Sequence, residues 1–511
     1  MNPSSIPQQR AGGLESSEAA DAACKERRYG DGVMQGAPLN LARLLLDQGR
    51  PLEARAVLAG AIAGGDDSAA LRNLLGLVLH QLGDLEGCAR ELREAVRLSP
   101  RDPAAQFALA SVTHHLGEDA EAEAAVRRAI AQGMDEAPVY ALLGRILGKQ
   151  GRRDEAETAW RKAVRLDPSS PQGQRELADL IWMRTGDVGQ ARAALDAAPQ
   201  SHEIAAITAR LLRAAGDDKA AYDLAAARAK TYPALHVMAA RAALGFDPHL
   251  ADRHLKAAPA EPHSPARAKT EIEVDLALGR PEAAIRRAEA LHAARPADQY
   301  ATALLTTAWR LAGDPRHKAL CDYDRLVGRY PIEPPEGWSS LDGYLADLGQ
   351  ALDRIHGPLT HPVDQSLRHG SQTPRDLGDY PDPPIRALFA AIDGPIRRHI
   401  AAIGASGQNY ALAGAWSVRL NRSGFHINHV HPEGWLSSAF YVRLPAGMRG
   451  QEGWLKFGEP GPPTAPPLPA EHLVQPAPGL LVLFPSYMWH GTVPFASDAQ
   501  RLTCAFDIVR R

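Results

Sequence analysis

The sequence lacks the features that mark secreted, membrane-spanning and nucleic-acid-binding proteins. Its four cysteines include no CxxC pair, which excludes an evident disulfide framework or thiolate metal site. No stretch approaches the roughly 18 apolar residues of a transmembrane helix, and no apolar segment follows a basic start. The formal net charge of −3 gives no electrostatic reason to expect nucleic acid. We therefore expect a cytoplasmic protein with no membrane or nucleic-acid partner.

The composition is that of a soluble, folded protein with several parts. Hydrophobic residues make up 45% of the chain and charged residues 23%, which is ordinary for globular domains. A chain of 511 residues is too long for one compact core, so we expect several folding units or a repeat array. Residues 1–34 are small and polar, and we expect them to form a disordered leader.

A 34-residue period begins at residue 35 and predicts pairs of helices. A glycine starts the turn within each pair, where it can adopt the left-handed conformation that ends a helix. These glycines are Gly49, Gly83, Gly117 and Gly151. Small residues recur ahead of the later turns, where they let paired helices approach closely, at Gly76, Ala110 and Gly144. Further turns keep the glycine without the strict spacing, at Gly186, Gly216, Gly279 and Gly313.

These offsets resemble the tetratricopeptide repeat. The resemblance implies an all-α solenoid over residues 35–327, with regular repeats in 35–170 and degenerate ones in 171–327. A solenoid of this kind presents a concave groove, which implies a protein or peptide partner. The alternative is that the array only spaces, dimerises or stabilises the C-terminal domain.

The character of the sequence changes after residue 327, and a second domain is predicted over residues 328–511. Apolar residues at spacings of three and four predict helices over Leu341–Ile355 and Pro384–Ile403. Four strands are then predicted from β-branched and aromatic runs: Trp416–Leu420, Ser438–Leu444, Leu480–Phe484 and Leu502–Val509. Short strands at this spacing favour a jelly roll with helices on its outside. The segments Gln365–Thr373 and Pro460–Pro478 are predicted to be loops.

Three histidines lie within six residues, at His426, His429 and His431. In an extended chain alternate side chains share a face, so His429 and His431 can point at one atom while His426 points the other way. A third donor must come from elsewhere, and His490 follows the predicted strand Leu480–Phe484. The sequence therefore predicts a metal site formed by His429, His431 and His490.

A guanidinium and a hydroxyl alternate onto one face at the start of the last strand, at Arg501 and Thr503. This pair is suited to bind a carboxylate. The alternative is that Arg501 pairs with Asp498 and that Thr503 is an ordinary strand residue. Candidates to line the same pocket stand on neighbouring strands: Trp416, Arg419, His426, Tyr441 and Lys456.

The order His-x-His, a distant His and then Arg-x-Thr resembles the Fe(II)/2-oxoglutarate oxygenases. Further short segments are similar in sequence to members of this family: Gln365–Thr373, His429–Pro432, Gly453–Phe457 and Phe484–Ser486. The resemblance implies a double-stranded β-helix within an α+β domain, Fe(II) held by the three histidines, and 2-oxoglutarate as cosubstrate held by Arg501 and Thr503. It also implies oxidation of 2-oxoglutarate to succinate, coupled to hydroxylation of a protein or peptide side chain recruited by the repeats.

One position departs from this family, because His431 stands where the family has Asp or Glu. His431 is a third neutral ligand, or it hydrogen-bonds near a two-histidine site completed by water, or the domain has lost iron. Two other functions stay open. One is a repeat scaffold with a non-catalytic jelly roll, and the other is a three-histidine dioxygenase that oxidises thiols without 2-oxoglutarate, against which Arg501 and Thr503 argue.

Overall fold

The structure is a computed structural model and describes residues 36–261, 264–356, 363, 365–405, 407 and 409–511. The predicted leader, residues 1–34, lies outside them. Helices fill most of the described chain up to residue 326, and strands dominate its C-terminal part, which confirms the predicted order of an all-α region and a sheet domain. No helix among the described residues is both long and apolar enough to cross a membrane.

The chain divides into two compact units, one that ends at Leu177 and one that begins at Ala178. The first unit is built from helices that pack in successive pairs. They are α1 (Ala37–Asp47), α2 (Pro51–Ala63), α3 (Ala69–Gln81), α4 (Leu85–Leu98), α5 (Pro103–His115), α6 (Asp119–Ala131), α7 (Ala137–Lys149), α8 (Arg153–Leu166) and α9 (Pro171–Thr185), whose C-terminal part belongs to the second unit.

Glycines in the left-handed backbone conformation end the first helix of each regular pair. The φ angles of Gly49, Gly83, Gly117 and Gly151 lie between 71° and 81°, a region that glycine adopts without a steric penalty. The later turn glycines, Gly186, Gly216, Gly279 and Gly313, also have positive φ. The turns predicted from the glycine pattern are thereby confirmed.

Close contacts explain the small residues inside the repeats. A Cβ atom at Gly76 of α3 would lie 2.9 Å from Cγ of Leu92 on α4, and one at Gly144 of α7 would lie 2.7 Å from Nε1 of Trp160 on α8. Each contact joins the two helices of one pair. A larger side chain at either glycine would push the pair apart.

The second unit continues the helical series and then adds the sheets. Its helices before the first strand are α10 (Val188–Asp196), α11 (His202–Ala214), α12 (Asp218–Ala229), α13 (Leu235–Ala243), α14 (Pro248–Ala257), α15 (Pro265–Ala277), α16 (Pro281–Ala294), α17 (Gln299–Ala312), α18 (Arg316–Leu320) and α19 (Tyr323–Leu326). Residues of α15, α16 and α17 share a hydrophobic cluster with Val430 and Trp489. The sequence-based boundary at residue 328 therefore falls inside this compact unit.

Two antiparallel sheets and two helices complete the second unit. The strands are β1 (Gly328–Pro331), β2 (Leu367–Gln372), β3 (Tyr410–His426), β4 (Leu436–Arg443), β5 (Leu455–Phe457), β6 (His472–Val474), β7 (Leu480–Pro485), β8 (His490–Thr492) and β9 (Arg501–Arg510). The larger sheet has the order β1-β7-β4-β9-β3-β2, and the smaller has the order β6-β5-β8. The helices are α20 (Leu341–Ile355) and α21 (Pro383–Ala402), close to their predicted bounds.

The two faces of the larger sheet have different partners. On one face, Cys504 and Phe506 of β9 join a core cluster with α20 and α21. On the other face, Tyr441 of β4 and Phe484 of β7 pack with Phe457 of the smaller sheet. Since side chains alternate along a strand, the odd-numbered residues of β9 point into the space between the sheets, where the predicted site residues meet.

Two segments that were expected to be loops contain strands. Gln365–Thr373 carries β2, which pairs with β3 at the edge of the larger sheet. Pro460–Pro478 carries β6, which pairs with β5. Both strands are short and have no clear apolar alternation, so pairing with partners remote in sequence decides their conformation.

Candidate metal centre

An antiparallel bridge between His429 and His490 forms the middle of the site. The backbone N–H of His429 donates to the carbonyl oxygen of His490 at 2.9 Å, and the N–H of His490 donates back at 3.0 Å. The ring of His429 lies with its centroid 4.1 Å from that of His490 and 5.1 Å from that of His431. The bridge thus brings the distant histidine to the His-x-His segment.

The ligand-type atoms of these three side chains converge. One ring nitrogen from each histidine lies within 4.8 Å of the other two, and in the part of the chain that the structure describes no other group of three His, Cys, Asp or Glu side chains does the same. The three residues singled out from the sequence are therefore brought together by the fold.

Each of the three imidazoles uses Nδ1 for a hydrogen bond to an oxygen. In His429 and His490, Nδ1 lies 2.8 and 2.9 Å from the carbonyl oxygen two residues earlier in the chain. In His431, Nδ1 lies 2.7 Å from Oδ1 of Asp507. Because carbonyl and carboxylate oxygens only accept, we assign the proton to Nδ1 and the lone pair to Nε2. The Nε2 atoms of His429 and His431 face each other at 3.2 Å, which suits a cation held by both.

Burial keeps the rings of His429 and His490 neutral. It lowers the pKa of both side chains well below the usual range, and repulsion from the neighbouring histidines lowers these pKa values further. Burial also lowers the pKa of His426 to about 3. Since neutral imidazole is the form that binds a metal, His429 and His490 are available as ligands at neutral pH.

A carboxylate that the sequence analysis missed lies directly behind His431. Oδ1 and Oδ2 of Asp507 are 2.7 and 2.8 Å from Nδ1 of His431, and Oδ1 also accepts from the hydroxyl of Ser437 at 2.9 Å. A carboxylate in this place fixes the orientation of the ring and makes Nε2 a stronger donor to a metal. The sequence did contain a signal for it. Side chains alternate along a strand, so Asp507 lies on the same face of β9 as Arg501 and Thr503 and could have been expected near the site.

Arg501 is buried between the sheets without an anionic partner. It is 3% exposed, and among the described residues its Nε and Nη1 make no hydrogen bond, nor does the hydroxyl of Tyr441. The guanidinium carbon lies 5.2 Å from the centre of the Tyr441 ring. The alternative partner, Asp498, pairs instead with Arg422. Buried donors of this kind favour a bound anion, so the residues present fit a carboxylate ligand.

Two other candidate residues, Trp416 and Thr503, lie near this part of the larger sheet. The ring of Trp416 stacks on that of His431, with centroids 5.9 Å apart and planes inclined by 22°. Thr503 is buried, pairs with Val418 in the sheet, and its hydroxyl lies 3.4 Å from the carbonyl oxygen of Val418. Both side chains belong to the face of the larger sheet that carries Arg501.

Arg419 and Lys456 lie elsewhere, against expectation. Arg419 is an odd number of positions from Trp416 along β3 and so points to the helix side, 3.8 Å from Asp353 of α20. Lys456 alternates with the buried neighbours on β5 and forms an ion pair with Glu459 at 2.6 Å. Neither residue is retained in the pocket, because strand alternation puts each on the opposite face.

His426 was expected to point away from His429, and this was wrong. The two rings stack with centroids 5.8 Å apart. The hydroxyl of Ser366 lies 2.8 Å from Nδ1 of His426 and 3.2 Å from Nε2 of His429. Since β3 ends at His426, the strand alternation does not continue to residue 429. His426 therefore stays in the pocket, and Ser366 is added to it.

Comparison with known families agrees with this arrangement. The family described as "Putative 2OG-Fe(II) oxygenase" matches residues 414–507. Residues 414–507 therefore carry a domain of the type that this family model describes. The tetratricopeptide repeat family matches residues 39–87, 89–137 and 142–203, so the chain joins such repeats to the oxygenase domain. No curated protein matches the chain.

Among the solved structures that resemble part of the chain are pilus-related and tetratricopeptide repeat proteins. PilF of Pseudomonas aeruginosa is 18% identical with a TM-score of 0.32, over 43% of this chain and 94% of that chain. PilW, described as a widely conserved type IV pilus biogenesis factor, is 18% identical with a TM-score of 0.34, over 40% and 96%. A tetratricopeptide repeat protein from Parabacteroides merdae is 14% identical with a TM-score of 0.33, over 54% and 99%. At these TM-scores the likenesses carry no argument about this chain.

Proposed function

We propose that this protein is an Fe(II)- and 2-oxoglutarate-dependent dioxygenase that hydroxylates a side chain of a protein or peptide held by its repeats. The observation that carries the proposal is the combination of three convergent imidazoles with Arg501, a buried guanidinium that has two unpaired nitrogens. Imidazoles of this kind favour a transition metal, and the guanidinium favours a carboxylate. A cosubstrate that binds a metal at one end and carries a carboxylate at the other satisfies both.

The three histidines would hold the iron through Nε2. Because Asp507 holds Nδ1 of His431, the Nε2 atom of His431 is directed at the other two rings, which favours three histidine ligands over two. Neutral ligands leave the +2 charge of the metal undiminished, so the site attracts an anionic cosubstrate strongly. When bound, Fe(II) with 2-oxoglutarate and O₂ supplies the oxidising chemistry that yields succinate, CO₂ and a hydroxylated C–H bond.

Residues of the larger sheet would hold the far carboxylate of 2-oxoglutarate. Arg501 offers Nε and Nη1, and the hydroxyls of Tyr441 and Thr503 stand on the same face. Because Arg501, Tyr441 and Thr503 are buried, the ion pair formed there would be stronger than one on the surface. This unpaired guanidinium is also the reason to prefer a 2-oxoglutarate enzyme over a thiol dioxygenase that uses no cosubstrate.

Aromatic rings pack against two of the three histidines. The ring of His490 lies with its centroid 4.6 Å from that of Phe484 and 6.4 Å from that of Phe457. Trp416 covers His431 from another side. Apolar neighbours of this kind disfavour protonated imidazole.

A cavity in the first unit supports recruitment of a peptide by the repeats. It has a volume of about 240 Å³ and is lined by residues of α5, α7, α8 and α9, among them Phe107, Trp160 and Arg145. The lining also carries charge of both signs, from Arg145 and Asp167. A peptide with apolar side chains and a polar group fits such a lining.

Binding of 2-oxoglutarate by the Co(II)-loaded protein tests the cosubstrate site. In equilibrium dialysis the wild type should bind 2-oxoglutarate saturably. Arg501→Ala should weaken binding by about 100-fold or more, since charge-assisted hydrogen bonds contribute roughly 1.5–3 kcal/mol each. Arg422→Ala, which removes an exposed guanidinium paired with Asp498, is the matched control and should bind like the wild type. Equal binding by the Arg501 variant, or none by the wild type, would favour the scaffold function.

A further inference from the structure

Each segment that carries the metal ligands also carries a residue that packs into the repeat helices. Val430 lies between His429 and His431, and Trp489 directly precedes His490. Val430 is 7% exposed and Trp489 is 4% exposed, in a cluster with residues of α15, α16 and α17. The ligands therefore turn inward, while their neighbours turn toward the helices.

Helix α17 contacts both segments. Its first residue, Gln299, donates its backbone N–H to the carbonyl oxygen of Pro432 at 3.0 Å, one residue after His431. In its middle, Oγ1 of Thr307 accepts from the indole N–H of Trp489 at 2.8 Å. The same helix thus holds the chain directly beside two of the three ligands.

The end of α17 extends this contact to the smaller sheet. Arg310 donates to the carbonyl oxygen of Gly458 at 2.8 Å and pairs with Glu471 at 3.2 Å. The backbone N–H of Gly458 in turn donates to the carbonyl oxygen of Trp489 at 2.9 Å. Trp489 is therefore fixed through its side chain and through its backbone, both by way of α17.

We propose that α17 is a structural part of the metal centre, so that metal binding and the docking of this repeat helix are thermodynamically coupled. The inference rests on the proposed metal site. The distances between the Nε2 atoms of the three histidines depend on the position of the backbone near Pro432 and Trp489. Helix α17 makes a hydrogen bond to each of these two residues. A metal that fixes these segments must stabilise the docked helix by the same free energy by which the docked helix strengthens metal binding. In this arrangement Thr307 is a positioning residue.

Metal affinity of a graded set of variants tests the coupling. Competition between the protein and a fluorescent chelator for Co(II) gives the affinity without turnover. Thr307→Val removes the closer of two acceptors for the indole N–H of Trp489 and leaves the carbonyl oxygen of Ala303, at 3.2 Å, so it should weaken Co(II) binding by about fivefold. Trp489→Phe removes the donor itself and should weaken binding by about tenfold, the low end of the effects known for residues that support ligands. Thr306→Val is the matched control. Thr306 is the buried neighbour on the same helix. Its hydroxyl donates to the carbonyl oxygen of Ala303 at 3.0 Å and, among the described residues, makes no bond to Trp489, so its substitution should leave the affinity unchanged.

Hydrogen exchange of the unmodified protein gives a second measurement that no folding defect of a variant can obscure. Co(II) should slow the exchange of backbone amides in α17 and leave those of α3, in the first unit, unchanged. Unchanged exchange in α17, or equal Co(II) affinity across the three variants and the wild type, would overturn the inference while leaving the metal site in place. A wild type that binds no Co(II) would instead overturn the proposed function, and this inference with it.

Discussion

Replacement of Asp507 by asparagine should weaken metal binding while the fold stays intact. The carboxylate oxygens lie 2.7 and 2.8 Å from Nδ1 of His431. Asparagine has nearly the same shape and keeps an oxygen that accepts from the ring, but it loses the negative charge. The ring becomes more positive when Nε2 binds a cation, so the carboxylate stabilises the metal-bound state more than the metal-free state.

The size of the effect follows from the strength of the bond. A hydrogen bond to a charged group contributes about 1.5–3 kcal/mol, and a neutral one about 0.5–1.5 kcal/mol. The difference of about 1–2 kcal/mol corresponds to roughly 5- to 30-fold in affinity. The unfolding free energy of the metal-free protein should change less, because a hydrogen bond to Nδ1 survives in the variant.

Competition for Co(II) or Fe(II) against a chelator measures this loss, with thermal unfolding of the metal-free protein beside it. Asp498→Asn is the matched control, since Asp498 is exposed and its ion pair is with Arg422 on the surface. An Asp507→Asn variant that binds metal as tightly as the wild type would refute the reasoning. It would show that the Asp507 carboxylate does not stabilise the metal-bound form of His431 more than the metal-free form.

Two further predictions concern stability. Gly144→Ala should lower the free energy of unfolding by about 1–3 kcal/mol in chemical denaturation, because the new methyl group would lie 2.7 Å from Nε1 of Trp160. Gly148→Ala, on the same helix with open space around it, should be neutral or stabilising by up to about 1 kcal/mol, and equal effects would contradict the packing argument. Burial, aided by repulsion from a nearby arginine, lowers the pKa of His356 from 6.5 to about 4. The unfolded chain therefore binds a proton in this window that the folded protein does not. The free energy of unfolding should fall as the pH drops from 6.5 toward 4, by up to about 3 kcal/mol from this residue, and His356→Gln should reduce the slope; an unchanged slope would count against burial as the cause.

The repeat region was predictable because its signal is local and recurs. The turn at Gly83 requires a positive φ, and the helix contact at Gly144 leaves no room for a Cβ atom. Each requirement is met by the identity of a single residue, which can be read from the sequence. Helix α20 was predicted at its observed bounds, Leu341–Ile355, because its apolar residues follow the helical period. Such features depend on near neighbours in the chain.

The errors fall where remote partners decide the structure. The strand β2 contains Arg368, His369 and Gly370 and becomes a strand by pairing with β3. Arg419 was placed in the pocket because it stands on a neighbouring strand, whereas its side chain lies on the opposite face of that strand, toward Asp353. His426 was assigned by an alternation that stops where β3 ends. These outcomes depend on register and strand ends, which a single sequence does not display.

The metal site, too, was predictable where the signal is local and was missed where a remote contact decides it. The spacing of His429 and His431 and the position of His490 predicted a three-histidine cluster, and the bridge between His429 and His490 explains how the fold assembles it. Asp507 was missed because a lone acidic residue late in a strand has no motif of its own. It is recognisable only once its contact with Nδ1 of His431 is seen.

The most direct test of the proposed activity is an anaerobic titration of the metal-free protein with Fe(II) and then with 2-oxoglutarate, followed by visible absorption. We predict a charge-transfer band that appears only after 2-oxoglutarate is added, and that Arg501→Ala shifts to much higher concentrations of 2-oxoglutarate. A protein that retains Fe(II) but gives no band would contradict the cosubstrate site, and a protein that retains no Fe(II) would contradict the metal centre itself.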